Sequence, residues 1–214
     1  MKRMRWTGVL GMLVLGIQVA TAAGPASEPS EEMGIFLESC RLLNQGVEER
    51  DEALVADASE GFGEIEITEM DAGEFSCNTE DPKVLDLPEI QYNYEFCDVV
   101  RKANFDIVKR SALALNRDVT AVQPISTVSR SLSPRSSATF TLSGAEDMEL
   151  SLPTTSPADL QLKITCEGVE VPVMTDPGTG FSYARWDMGA TEAPFTVTVT
   201  NSGDKNASFA IAMK

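Results

Sequence analysis

Between Ser137 and Met213, six short runs place an apolar residue at every second position: Phe140–Leu142, Met148–Leu152, Leu160–Ile164, Phe181–Tyr183, Phe195–Val199 and Phe209–Met213. A period of two buries one face of a sheet and leaves the other wet. Turn chemistry separates the runs, at Ser143-Gly144, Pro153 to Pro157, Pro177 to Gly180 and Asn201 to Gly203. Strands of this length and spacing predict an antiparallel β-sandwich or jelly roll over residues 137–214.

The period changes upstream. Phe36, Cys40, Leu43 and Val47 form one helical stripe, with Glu38, Asn44, Glu48 and Glu49 largely off it. Ser30 followed by Met33 is no capping box, so a loosely held start is expected. The pattern continues through Leu54 and Val55 until Gly61 to Gly63 end it. Glu64 to Met70 alternates acid with apolar and predicts a short strand with a charged outer face. A second helix is expected from near Pro88 to about Leu115, with Phe96, Val100, Ala103 and Ile107 as its stripe. The predicted class is α+β: a flexible leader (24–30), an acidic helical region (31–118), a connector or strand (119–136) and the sandwich (137–214).

Residues 1–23 have the three parts of a secretory signal: Lys2, Arg3 and Arg5, an apolar run from Val9 to Val19, and small residues up to Ala23. The run is shorter than the ~20 residues of a membrane span. Export to a periplasmic or extracellular space is expected. There, four cysteines (Cys40, Cys77, Cys97 and Cys166) point to two disulfides, and no CxxC spacing marks a zinc or redox motif. Three pairings exist and the sequence leaves them open. Two helices that each carry one cysteine on or beside an apolar stripe point to Cys40 with Cys97.

Charge sharpens the division of the chain. The formal net charge is −16. Residues 28–99 hold 21 acidic residues against Arg41, Arg50 and Lys83, whereas residues 100–214 are nearly balanced. Nucleic acid and anionic membrane surfaces demand basic patches and are not expected partners.

Three segments carry a family resemblance: Phe140 to Gly144, Ala158 to Leu162, and Phe195 to Gly203 with the final run Ser208 to Met213. With them, residues 130–214 resemble the bacterial pre-peptidase C-terminal domain. The resemblance implies a jelly-roll-like sandwich of a secreted protein, linked to secretion, solubility or substrate contact and usually set beside a catalytic domain. The helical part here is small and poor in reactive residues. The resemblance therefore implies an architecture and not an activity.

The chain contains no histidine, which removes Ser-His-Asp and Cys-His nucleophilic sites and His-ligated zinc. No nucleotide-binding glycine motif occurs. Carboxylates admit a small carboxylate-dependent hydrolase as the least favoured reading. Loop acids (Asp71, Glu74, Glu80, Asp81 and Asp86, with Asp147, Asp159, Asp176 and Asp187) admit structural calcium, without the DxDxDG loop that would specify it. Trp186 and Tyr183 beside Asp187 offer a surface for stacking on sugar, as in a carbohydrate-binding module. Against it, Phe181 and Tyr183 share a face suited to the core. Asn201 and Asp159 read as turn residues. The favoured expectation is a non-enzymatic binding or accessory protein of the bacterial envelope, contacting a protein or polysaccharide.

Overall fold

Ser30 opens the first helix, α1 (Glu31–Glu49), as its N-cap, its Oγ accepting the Met33 N–H at 3.4 Å. Glu31 and Glu32 in the first turn favour the positive end of the helix dipole. The start is therefore capped rather than loose. The helix does not run on through Leu54. Arg50 takes a left-handed conformation (φ 56°) and stops it, and Asp51 caps a separate helix, α2 (Glu52–Glu64), by accepting the Ala53 N–H at 2.8 Å. The two helices touch at Gly46, where an added Cβ would lie 2.7 Å from Val55 Cγ2. A third helix, α3, spans Tyr94–Asn104.

The computed structural model describes residues 28–70, 75–77, 84–85, 90–104, 124–189 and 192–214. The expected signal and residues 105–115 of the expected later helix lie outside them; residues 90–93, expected inside that helix, are not helical, and it begins at Tyr94.

The strands are β1 (Ile67–Glu69), β2 (Phe75–Cys77), β3 (Val84–Leu85), β4 (Ile125–Leu132), β5 (Ser136–Gly144), β6 (Asp147–Leu152), β7 (Leu160–Cys166), β8 (Val169–Val171), β9 (Met174–Thr175), β10 (Ser182–Asp187), β11 (Ala193–Asn201) and β12 (Ala207–Met213). They form two sheets, in the orders β1-β4-β12-β6-β10-β9, with β3 also on β4, and β2-β5-β11-β7-β8. The fold is α+β with a β-sandwich. The segment expected as a connector supplies β4, a full member of the first sheet. The acidic region gives β1 and β3 to that sheet and β2 to the other.

The two sheets enclose one core, with Leu132, Phe140, Leu150, Ile164, Val197, Phe209 and Ile211 fully buried. The Phe140 and Phe209 rings meet edge to face at 6.3 Å. A second core lies between the outer face of the first sheet and the helices. Met33, Phe36, Cys40 and Leu43 of α1 meet Tyr183, Ala210 and Ala212 there, with Val55, Tyr92 and Cys97. The expected wet face is thus covered, and β12 is buried along both sides down to Ala212. Small residues permit the approach: Ala210, Ala212 and Ser151 leave room for α1, and the Ser151 hydroxyl reaches Met33 Sδ at 3.3 Å.

Candidate functional site

The three residues expected at a ligand surface do not share one. Period-two alternation sends Tyr183 to the helix side of β10 and Trp186 into the sandwich. Tyr183 is 1% exposed and Trp186 6%. Trp186 packs edge to face on Phe195 at 5.2 Å. Asp187 is exposed, and its Oδ1 accepts the Gly189 N–H at 2.7 Å. Burial raises the Tyr183 phenol above its ordinary pKa, with the Glu149 charge acting in the same direction. Its hydroxyl lies near that carboxylate without meeting hydrogen-bond geometry.

Among the described residues Glu149 is the one buried charged side chain, 4% exposed on the helix side of β6. The Ser30 N–H and hydroxyl donate to it, and Arg185 Nη1 lies 3.2 Å from Oε1. Arg185 also approaches Asp147 at 3.5 Å. Beside this group, Lys214 Nζ donates to Glu32 Oε2 at 2.6 Å. The cluster ties the start of α1 to β6, β10 and the end of β12. Its polar atoms serve the joint.

The other loop acids are dispersed. Asp176 Oδ2 accepts from the Thr179 N–H and hydroxyl, and the Asp159 carbonyl accepts from Ser202. Among the described residues no three acidic or cysteine side chains converge as a metal site. Asp71, Glu74, Glu80, Asp81 and Asp86 lie outside the described residues.

Cys40 and Cys97 are both fully buried in the helix-side core, and Cys166 is partly exposed at the end of β7. All three are free thiols, so no disulfide joins them in the structure. Cys77 is placed by its backbone alone, on β2.

An open groove of about 400 Å³ lies where the acidic region meets the sheet edge. Phe62, Ile65, Ile67 and Val128 contribute apolar lining; Thr68, Glu69, Asn93, Tyr94, Glu95 and Arg130 contribute polar lining. Among the described residues, strand pairing along this side of β4 is interrupted here. On the side of β4 away from β12, β1 pairs in parallel up to Thr127, and β3 pairs antiparallel from Ser131. Ile125 donates to Glu66 and Thr127 accepts from Met70, so alternate residues of β4 face this side. By that alternation the N–H and C=O of Ser129 point to this same side of β4, between the two paired stretches. The Arg130 guanidinium reaches the Ser129 carbonyl at 2.8 Å, and its buried Nε has no hydrogen-bond partner among the described residues. Asn93 begins α3 at the same place, its Oδ1 accepting the Phe96 N–H at 2.8 Å.

Sequence reasoning missed both Glu149 and this groove. The alternation of β6 put Glu149 on a face read as wet. The small residues Ala210 and Ala212 on β12 were the available sign that a helix covers it. The interruption on β4 depends on where two distant short strands stop, which no local pattern encodes.

No protein-family model matches this chain, and no curated protein matches it. Among the described residues no helix is long and apolar enough to cross a membrane.

Proposed function

We propose that the protein is an exported, non-enzymatic accessory protein of the bacterial envelope or extracellular space, and that the groove beside β4 takes an extended segment of a protein partner. The observation that carries this reading is the stretch of β4 between Thr127 and Ser131, which pairs with neither β1 nor β3. It presents a strand backbone to a groove whose rim offers hydroxyl, amide and carboxylate groups, the set that pairs with a polypeptide main chain. The acidic bias of residues 28–99 supports a partner with basic residues, whose association is steered by charge and weakens with salt. A sequence without histidine supports binding rather than acid–base catalysis.

Capture from envelope extract on the immobilised protein tests the reading, with two groove variants as controls. Ser129→Pro removes the Ser129 N–H on the groove side of β4 and spares the ladder to β12. Tyr94→Asp alters an exposed rim residue. A basic protein held at low ionic strength, released by salt and lost in both variants, is the expected result. Capture unchanged by either variant would remove the groove from consideration.

A further inference from the structure

We propose that Cys40 and Cys97 are oxidised to a disulfide that staples α1 to α3, and that Cys77 and Cys166 stay outside it. The pairing follows from where the fold puts each cysteine. Cys40 and Cys97 are both 0% exposed in the core between helices and first sheet. They belong to one packed cluster with Phe36, Leu43, Val55 and Tyr92. Cys166 packs against the other core, between the two sheets, so the first sheet stands between it and the helical pair.

Cys77 has no partner in Cys166 either. It is in register with Ala138 of β5, which faces Val199 of β11, which in turn faces Leu162 of β7. Cys166 lies a further four residues along β7. Three strand spacings across and four residues along amount to roughly 20 Å. A disulfide spans at most about 7 Å between Cα atoms. Each of the three ways to join all four cysteines contains a bond this fold forbids, so at most one bond forms, and the two cysteines that share a core are Cys40 and Cys97.

The step is thiol–disulfide exchange with a disulfide oxidant, such as a low-molecular-weight disulfide. One cysteine loses its proton and attacks the oxidant, releasing one thiol and leaving a mixed disulfide. The second cysteine, also deprotonated, displaces the other thiol as the S–S bond closes. The protein loses two hydrogens and the oxidant becomes two thiols. Burial raises the Cys40 thiol well above its ordinary pKa and the Cys97 thiol to about 12. Exchange needs a thiolate and access, so the bond closes before α3 seals the core and afterwards resists reduction.

Peptide mapping decides it. Trypsin cuts after Arg41, Arg50, Lys83, Arg101, Lys163 and Arg185, which places the four cysteines in four separate peptides. The protein is refolded with oxidised glutathione, alkylated in denaturant and digested without reductant. The expected result is one linked pair, holding Cys40 and Cys97, with Cys77 and Cys166 alkylated or capped by glutathione. The urea midpoint of this protein falls on reduction, and reductant leaves a Cys40→Ser/Cys97→Ser variant unchanged. Linkage of Cys40 or Cys97 to either other cysteine overturns the proposal. So does recovery of both as free, alkylated thiols from folded protein. Neither outcome depends on the groove, whose own test is separate.

Discussion

The Ser30 hydroxyl donates to Glu149 Oε2 at 2.7 Å, bonding the N-cap of α1 to a strand 119 residues later. The same oxygen of Ser30 accepts from Met33, so one side chain caps the helix and docks it. Arg185 supplies the countercharge, its Nη1 3.2 Å from Oε1. Glu149→Ala removes the acceptor for Ser30 and leaves Arg185 with Asp147 alone. A loss of about 2–4 kcal/mol is expected. Glu149→Gln retains the shape and one acceptor and should lose less. Urea unfolding followed by circular dichroism measures both, and an alanine variant as stable as the parent would show the joint to be idle.

Glu32 and Lys214 make the stability of this joint depend on pH. The Lys214 ammonium, hydrogen-bonded to Glu32, holds its carboxyl below the ordinary 4.5. The folded state therefore binds this proton more weakly than the unfolded chain. The contribution is fully present above the unfolded value and is lost as pH falls through the lower, folded one. Lys214→Ala should be less stable than the parent at neutral pH, and the difference should close in acid below about pH 4.5. Urea midpoints across a pH series read this directly. A difference that stays constant down to pH 3 would assign the effect of Lys214 to packing.

Asn201 is fully buried, and its amide donates to the carbonyls of Leu132, Ser133 and Lys205. Its Oδ1 accepts the Gly203 N–H at 3.0 Å. One side chain thus joins the β4–β5 turn to the β11–β12 hairpin. Asn201→Ala strands buried carbonyls and should cost about 2–3 kcal/mol. Asn201→Asp has the right size and should be no better, because it places an acceptor where donors are required. An aspartate variant with the parent's thermal midpoint would refute this account.

What was legible in the sequence is what local periodicity controls. All six alternating runs contribute to strands, in β5, β6, β7, β10, β11 and β12, because each side chain's face follows from its parity. Asp159 does lie in a turn, and Asn201 is the last residue of β11, just before one. Layering was not legible. Alternation shows that two faces differ and does not show what covers the second one, so Glu149, Ser151 and Tyr183 could not be seen as facing a helix layer. The division at Arg50 was hidden as well, because the apolar spacing of α1 runs on into α2 across it. The groove depends on the ends of β1 and β3, strands of three and two residues that lie far from β4 in sequence. Strands so short are placed by the sheet they join and not by their own pattern.

Trp186 separates a structural role from a ligand-binding one. It is the one tryptophan after the expected signal, since the other is Trp6. Its ring fills the sandwich beside Phe195, and its Nε1 finds no acceptor among the described residues. Trp186→Ala should therefore cost about 3–5 kcal/mol through the cavity it leaves, and Trp186→Phe considerably less. In a chain beginning at Gly24, tryptophan emission should be blue-shifted, resistant to a soluble quencher, and unmoved by polysaccharide until urea unfolds the protein. The buried ring face is the reason, for stacking on a sugar requires the face that Phe195 and the surrounding core already occupy. Saturable quenching by a polysaccharide in the folded protein would mean that this ring is reached from outside, and the sandwich surface would then replace the groove as the place to look for a ligand.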